Sequence, residues 1–484
     1  MAVTAEAKGP SGAALAFPQG FLWGAATSAY QIEGGANADG RAPSVWDTFS
    51  HTPGKVRGGD TGDIACDFYH RFEEDLDLMA RLGLGAFRFS VSWSRVQPSG
   101  SGAINQPGLD FYRSLVDGLR ARDIEPAVTL YHWDLPQALE DSGGWANRDT
   151  AERFADYAEI LAEAIGDAGG MWITLNEPQV VANQGYRNGV HAPGLRDDAL
   201  AAAATHHLLL GHGLALQRLR SVLPDARVGI TLDIHPIRAA GPDAQDAATI
   251  TDAEQNRIWI DPVLQGRYPS RAREHLLPPP SLVLDGDMEL IGAATDFLGV
   301  NYYSPHYVKL GDSTALHRDE SAIPGLPGVI VYKPAHLTLT SMGWLIEPDG
   351  LYDTLVTLAA ETSPGLPLYV TENGCAAEDY VNPDGVIDDV ERIEYVHGHL
   401  AAAWRAIRDG VPLAGYFYWS LHDNFEWSWG YQKRFGLLFV DYDTQRRRPK
   451  RSAAFYSQVA RTNELAALDL VLGGQAGDQA RTSS

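Results

Sequence analysis

Cysteine is nearly absent from the sequence, with only Cys66 and Cys375 among 484 residues. Two cysteines are too few for a disulfide framework or a cysteine-rich metal site, so we predict a reducing compartment. Three histidines share one helical stretch, His206, His207 and His212, but no acidic residue accompanies them at the spacing of metal ligands. We interpret them as core or surface residues and predict no metal ion.

Basic charge and long apolar runs are also scarce. The chain has 38 basic and 62 acidic residues, and the resulting net charge of −24 repels phosphate backbones and anionic lipids. No charged N-terminal region precedes an apolar stretch, and no segment has about 18 uninterrupted apolar residues. We expect a soluble cytoplasmic protein that binds neither nucleic acid nor membranes. The basic run at 446–451, RRRPKR, is interpreted as a solvated turn before the last helix.

Short apolar runs alternate with helical stretches, as in parallel βαβ units. There are eight such runs: FLWGAATSAY, AFRFSVSW, EPAVTLYH, GMWITLNE, RVGITLDI, DFLGVNYY, PLYVTENG and LAGYFYWSL. Eight strands buried on both faces predict an α/β fold, a single (β/α)8 TIM barrel with elaborated βα loops, over residues 15–470. Residues 1–14 and 471–484 are predicted to be flexible termini. The Gly- and Pro-rich insertions at 35–62 and 304–346 are predicted to be loops on one rim.

Two glutamates follow directly on predicted strands. Glu177 ends the fourth run after Asn176, and Glu372 lies near the end of the seventh, before Asn373. The carboxyl ends of all barrel strands surround one mouth, so both side chains are predicted to face it. Cleavage of a glycosidic bond needs one acid to protonate the leaving oxygen and a second carboxylate to attack or stabilise the anomeric carbon. The pair therefore favours a glycosidase site over two unrelated ion pairs.

Aromatic and hydroxyl-binding side chains follow the same runs. Sugars present C–H faces that stack on aromatic rings. The rings are those of Trp133, Tyr302, Tyr303, Trp419, Trp427 and Trp429. The groups that could bind hydroxyls are Gln31, Glu33, His132 and Glu426. This composition fits a sugar-binding mouth.

Seven segments spread over nearly the whole chain resemble, in the same order, the signatures of the family-one glycoside hydrolases, which include the β-glucosidases. They are FLWGAATSAYQIEGG, YHWDLPQAL, TLNEP, GYRNGVHAPG, LGVNYYSP, YVTENG and YWSLHDNFEWSWGYQKRFGLLFVD. The resemblance implies a retaining mechanism without a cofactor, in which Glu177 is the acid/base and Glu372 is the nucleophile. Retention requires the two carboxyl groups to lie about 5 to 5.5 Å apart.

The resemblance also implies a set of substrate-binding residues. They are Gln31, His132, Trp133, Asn176, Asn301, Tyr303, Trp344, Trp419, Glu426, Trp427 and Phe435. Arg88 of FRFS would keep Glu372 ionised, and the charge of Glu372 would raise the pKa of Glu177. The intact DNFEW segment and the presence of Glu177 favour O-glycosides without a phosphate. Cys375 is interpreted as a small wall residue.

We therefore expect a β-glucosidase that removes terminal non-reducing sugars from small β-glycosides such as cellobiose. A β-galactosidase or β-fucosidase specificity stays open, as does a transglycosidase on the same site, because these share most of the motifs. A sugar-binding protein without catalysis and a metal-dependent hydrolase are less favoured, since both glutamates are intact and no metal pattern is present. The oligomeric state is not predicted.

Overall fold

The computed structural model describes residues 14–166, 169–323 and 326–473. Eight of its strands are parallel neighbours and close into a barrel in chain order. They are β1 (Leu22–Ala26), β2 (Ala86–Ser90), β3 (Glu125–Tyr131), β4 (Met171–Asn176), β5 (Arg227–Asp233), β6 (Phe297–Asn301), β7 (Leu368–Asn373) and β8 (Leu413–Trp419). Each predicted run supplies one strand, so the (β/α)8 barrel is confirmed.

Long helices connect successive strands and follow the last. They are α1 (Phe68–Leu82), α2 (Gln106–Arg120), α3 (Asp149–Ile165), α4 (Asp198–Val222), α5 (Gln245–Asp252), α6 (Ile258–Gln265), α7 (Pro348–Glu361), α8 (Val390–Arg408) and α9 (Arg451–Thr462). Local chemistry defines their ends. The Asp197 carboxylate accepts hydrogen bonds from the first-turn amides of Ala199 and Leu200 at 2.8 and 3.0 Å. Gly83 ends α1 in the left-handed conformation, with φ of 72°.

A chain of hydrogen bonds runs through the barrel interior towards the mouth. Gly299 has room for none, because a Cβ there would lie 2.3 Å from Thr231 Oγ1. Thr231 donates to Thr371 Oγ1 at 3.2 Å, and Thr371 donates to Asn301 Oδ1 at 2.8 Å. The interior of the barrel therefore supports the residues at its carboxyl end directly.

Two strands change register immediately before the predicted catalytic residues. The pairing of β4 with β5 shifts between Ile173 and Asn176, and the pairing of β7 with β6 shifts between Val370 and Glu372. Such irregularities re-aim side chains and are common next to active sites. They turn the ends of β4 and β7 so that Glu177 and Glu372 face the mouth of the barrel.

The two insertions follow the carboxyl ends of β1 and β6, on one rim of the barrel as predicted, but both contain secondary structure that the sequence does not indicate. The first insertion contains a helix, Val45–Ser50, whose N-terminus is capped by a capping box of Ser44 and Asp47. The second supplies three strands of a four-stranded sheet, whose fourth strand comes from the loop after β5. In sheet order these strands are Glu320–Ala322, Val329–Tyr332, His306–Leu310 and Ile237–Ala239. They are short and mostly half-buried, so they lack the continuous apolar runs of the barrel strands.

The basic run at 446–451 is not a solvated turn, so that prediction was wrong. Residues Arg446–Pro449 form one strand of a hairpin. The Arg447 guanidinium is buried against Asp75, with nitrogen–oxygen distances of 3.0 Å. Lys450 Nζ lies 2.6 Å from each of two buried carboxylates, those of Asp379 and Asp423. Buried acids, rather than solvent, neutralise this part of the run.

Helix α4 is long and apolar enough to cross a membrane by length and composition, the one such helix among the described residues. However, 78% of its apolar window is buried inside the protein, as in a core helix. His206, His207 and His212 lie on it and are buried, which confirms their interpretation as core residues. No cluster that could hold a metal ion occurs in the described part of the chain.

The ends that we predicted to be flexible lie largely outside the described residues. The exceptions are residue 14 and residues 471–473. Residues 471–473 belong to a final short helix, Leu468–Gly473. Near that end, Glu464–Leu465 pairs with Leu15–Ala16 and joins the two termini of the barrel.

Replacing Lys450 by methionine is expected to destabilise the fold by about 3 kcal/mol or more, because it leaves the buried carboxylates of Asp379 and Asp423 short of one cation. Denaturant unfolding measures this change. The matched control is Arg405→Met, which removes the exposed partner of Asp349 and should cost less than about 1 kcal/mol. Equal losses for both variants would contradict the assignment.

Candidate active site

The carboxyl ends of the barrel strands surround a cavity of about 590 Å³. Ten predicted site residues line it: His132, Trp133, Glu177, Tyr303, Trp344, Glu372, Trp419, Glu426, Trp427 and Phe435. The other four are fully buried and do not line this cavity, namely Gln31, Arg88, Asn176 and Asn301. These four residues lie directly behind the cavity wall, and their predicted contacts with a substrate stay a prediction.

One amide group, that of Asn301, contacts both glutamates. Asn301 Nδ2 donates to Glu177 Oε1 at 2.5 Å and also forms a hydrogen bond with Glu372. In the pairing of β7 with β6, Glu372 is the direct partner of Asn301. Glu177 has a φ of 45°, in the left-handed region, and Pro178 starts a short helix directly after it. The strained backbone positions the carboxyl group over the mouth.

Glu177 is set up to hold a proton. Burial raises the pKa of Glu177 well above its usual range, and the charges of Glu372 and Asp233 raise it further. The hydrogen bond from Asn301 and the charge of Arg88 only partly oppose this rise. The predicted rise in the pKa of Glu177 is confirmed in direction. Burial is its larger cause, however, and the charge of Glu372, the predicted cause, comes second.

Glu372 is better supported as an anion. Burial raises its pKa as well, but the charge of Arg88 and the hydroxyl of Tyr303 lower it. The Arg88 guanidinium donates to Glu372 Oε1, and Tyr303 donates to Oε2 at 2.7 Å. The predicted contact between Arg88 and Glu372 is therefore present. The pKa of Glu372 is raised overall, but Arg88 and Tyr303 oppose the rise, whereas the pKa of Glu177 is raised well above its usual range.

His132 lines the cavity, and its surroundings favour the neutral ring. Burial lowers its pKa well below the usual range, and the charge of Arg88 adds to this effect. Asn176 Nδ2 donates to His132 Nε2 at 3.0 Å, so the ring proton belongs on Nδ1. That Nδ1 has no partner among the described residues. Arg88 Nη2 in turn donates a hydrogen bond to Asn176 Oδ1 at 2.5 Å and fixes the Asn176 side chain.

Tryptophans form one wall of the cavity. The rings of Trp133 and Trp427 lie 4.5 Å apart, and His132 is roughly parallel to both Trp419 and Trp427, at 5.8 and 6.0 Å. Trp133 and Trp427 have φ values of 75° and 49°, which non-glycine residues rarely adopt. Such strain occurs where the surrounding structure enforces it, often at ligand sites.

One carboxyl oxygen of Glu426 is available to form a hydrogen bond with a ligand. Burial raises its pKa to about 8, and the charge of Glu372 adds to this. Its Oε2 has no partner within the part of the chain that the structure describes. A buried polar atom of this kind is normally satisfied by a bound group.

Two residues that we assigned to hydroxyl binding do not line the cavity. Gln31 donates to the carbonyl of Phe425 at 2.8 Å and supports the loop that carries Glu426. Glu33 is buried in a structural cluster, where it accepts from Arg95 at 3.0 Å and from the Tyr112 hydroxyl at 2.6 Å. The prediction for Glu33 was wrong, and a direct contact from Gln31 stays a prediction. Cys375 is buried and does not line the cavity either.

The structure also adds residues that we did not predict. Asp233, His235 and His306 line the cavity beside Glu177. Asp233 ends β5, so the rule that identified Glu177 and Glu372 would have found it.

Comparison with known proteins agrees with this geometry. Residues 14–465 match the family described as glycosyl hydrolase family 1. The chain belongs to this family. It is 46% identical to β-glucosidase A of Thermotoga maritima, over 93% of this chain and 98% of the relative. It is 47% identical to a bifunctional β-D-glucosidase/β-D-fucosidase of Bifidobacterium breve, over 91% of this chain and 97% of the relative.

A solved structure of the Thermotoga maritima β-glucosidase, in complex with noeuromycin, superposes with a TM-score of 0.86 at 45% identity. The match covers 93% of this chain and 99% of that one. The residues that match the family, 14–465, correspond closely to the predicted domain, 15–470. The bounds of that domain stay a prediction.

Replacing Tyr303 by phenylalanine removes the hydroxyl that stabilises ionised Glu372, so the pKa of Glu372 should rise. The acidic limb of the pH profile of kcat/KM should then move to higher pH, with a loss of about ten-fold on the acidic side. The profile with an aryl β-glycoside measures this. Tyr302→Phe is the control, because the Tyr302 hydroxyl donates to the Glu347 carbonyl instead. An unchanged limb in Tyr303→Phe would contradict the role of this hydrogen bond.

Proposed function

We propose that the protein is a retaining β-glucosidase that releases glucose from the non-reducing end of small β-glucosides such as cellobiose. The observation that carries this proposal is the buried pair Glu177 and Glu372, both in contact with Asn301, in which only Glu372 receives hydrogen bonds from Arg88 and Tyr303. Members of the family retain the anomeric configuration, and the relatives described above are named as β-glucosidases.

In the first step, neutral Glu177 protonates the glycosidic oxygen while Glu372 attacks the anomeric carbon. The bond to the leaving group breaks and an ester bond to Glu372 forms. The charge of Glu372 disappears in this ester, so the pKa of Glu177 falls. In the second step, Glu177 takes a proton from water, the water oxygen attacks the anomeric carbon, and Glu372 leaves as a carboxylate. No cofactor takes part.

The remaining polar groups of the cavity are assigned to the sugar. His132 Nδ1 donates to a hydroxyl group, and Glu426 binds the hydroxyls farthest from the scissile bond. Both groups lack partners among the described residues, which supports this assignment. Trp419 and Trp427 supply rings for the C–H faces of the sugar.

A β-fucosidase activity is the second candidate. Fucosides differ from glucosides at the hydroxyls distant from the scissile bond, where Glu426 is placed. The bifunctional Bifidobacterium breve relative, at 47% identity, favours this activity over others. We also propose a cytoplasmic location, which the two buried free cysteines support. The absence of nucleic-acid and membrane binding stays a prediction.

Glu372→Gly tests the proposal. Loss of the nucleophile should lower kcat on p-nitrophenyl β-glucoside by about 10⁴-fold or more, and added azide should restore turnover with α-glucosyl azide as the product. Product anomers are identified by NMR, and a panel of p-nitrophenyl glycosides ranks glucose against fucose and galactose.

The matched control is Glu378→Gly, six residues further along the chain, where the side chain is 84% exposed. It should keep full activity. If Glu372→Gly also kept most of its activity, the assigned nucleophile would be wrong.

A further inference from the structure

The segment at residues 423–436, which follows β8, closes on itself behind the cavity at the barrel mouth. It supplies four residues that line this cavity, namely Glu426, Trp427, Trp429 and Phe435. The two ends of the segment lie in backbone contact. A Cβ on Gly436 would lie 2.1 Å from the amide nitrogen of Asp423, so any larger residue would force the two ends apart.

The Asp423 carboxylate joins the two ends of this segment. Its Oδ1 accepts a hydrogen bond from the Gly436 amide at 2.9 Å, and its Oδ2 accepts one from the Arg434 guanidinium at 2.7 Å. Lys450 Nζ donates to Oδ1 at 2.6 Å. The Asp423 side chain is fully buried and does not line the cavity. It therefore fixes the segment from behind and cannot touch a ligand there.

The contacts of Asp423 continue into the loop that follows β7. Lys450 Nζ also donates to the Asp379 carboxylate at 2.6 Å, and Arg392 donates to the same carboxylate at 2.7 and 3.0 Å. Arg392 further donates to the Arg434 carbonyl at 2.8 Å and to the Cys375 carbonyl at 3.4 Å. One network of ions thus joins the loops that follow β7 and β8.

This network is an unfavourable way to gain stability alone. It contains three carboxylates and three cations, and all except Arg434 have side chains that are at most 1% exposed. Replacing buried ion pairs by apolar residues is often neutral or stabilising, because the loss of hydration offsets their attraction. Charged hydrogen bonds do, however, fix the relative positions of their groups. The network therefore points to a geometry that the two loops must keep.

Glu426 depends on the backbone of the segment for its position. Its amide donates to the Gly430 carbonyl at 2.7 Å, and its carbonyl accepts from the Trp429 amide at 2.8 Å. Its Oε2 receives no hydrogen bond from any described residue. Because no such contact holds this oxygen, a shift of the segment would move Glu426 relative to the catalytic pair. Asp423 is the charged group that resists this shift at both ends of the segment.

We propose that Asp423 is a positioning residue for the choice of sugar. By closing the 423–436 segment it places Glu426 against the hydroxyls farthest from the scissile bond. It thereby sets how well the enzyme distinguishes a glucoside from a xyloside, which lacks the hydroxymethyl group. This inference rests on the proposed function, because it requires a sugar between Glu426 and the catalytic pair.

The first test measures the ratio of kcat/KM for p-nitrophenyl β-glucoside to that for p-nitrophenyl β-xyloside. Asp423→Asn keeps the shape of the side chain, but its amide turns an N–H towards one of the present donors. The ratio should fall by about ten-fold, mainly through a higher KM for the glucoside. The kcat/KM for the xyloside should change by less than about two-fold, since Glu426 contributes little to its binding.

A double-mutant cycle tests whether Asp423 acts through Glu426. In the Glu426→Gln background, Asp423→Asn should lower the ratio by less than about two-fold, because the group that it positions has already been altered. A general structural role would instead lower the ratio by the same factor in both backgrounds.

Asp287→Asn is the matched control. Asp287 is also buried, and it accepts from Arg148 at 2.8 Å, from the Leu284 amide at 2.8 Å and bonds His206 at 2.9 Å. It does not line the cavity. This variant should lose stability in denaturant unfolding and keep the ratio of the wild type. Arg434→Gln, which leaves Lys450 on Asp423, should lower the ratio by about three-fold and decides the test if Asp423→Asn does not fold.

The outcomes are distinct. If the ratio is unchanged in Asp423→Asn, or in Arg434→Gln where only that variant folds, the positioning role is overturned while the proposed function stands. It is also overturned if the losses multiply in the cycle, or if Asp287→Asn lowers the ratio as much as Asp423→Asn. If the wild type hydrolyses neither glycoside, the proposed function itself fails.

Discussion

Two carboxyl groups buried within reach of the same amide cannot both be ionised without a large electrostatic cost. In this protein the Asn301 amide contacts both Glu177 and Glu372. The asymmetry between them comes from their other neighbours, because only Glu372 receives hydrogen bonds from Arg88 and Tyr303. One carboxyl group therefore holds a proton while the other is stabilised as an anion. Acid catalysis and nucleophilic attack both depend on this division.

The barrel serves this pair by bringing distant segments together. Glu177 and Glu372 are 195 positions apart in the sequence, yet the ends of β4 and β7 meet at one mouth. Local shifts of register turn both ends inward, and the chain of hydrogen bonds from Thr231 through Thr371 to Asn301 ties them to the barrel interior. Trp133 and Trp427 of the aromatic wall lie in the segments that follow β3 and β8, and Trp419 ends β8 itself.

The sequence predicts the barrel strands and the catalytic pair well, because each strand is buried on both faces and each glutamate follows its strand directly. It predicts poorly what depends on long-range contacts. The strand that carries Arg447 looks solvated in isolation, and only the fold brings Asp75 to it. The strands of the second insertion are short and half-buried, so no local pattern marks them. Asp233 was overlooked although it ends a strand, since no family motif drew attention to it.

The most direct test of the coupled pair is a titration of Glu177 by ¹³C NMR with labelled carboxyl groups. The free enzyme is compared with an enzyme in which a 2-deoxy-2-fluoroglucoside has trapped Glu372 as its ester. Because the charge of Glu372 and burial both raise the pKa of Glu177 in the free enzyme, the pKa should start well above its usual range and fall when Glu372 is esterified. An unchanged pKa in the trapped enzyme would contradict the account.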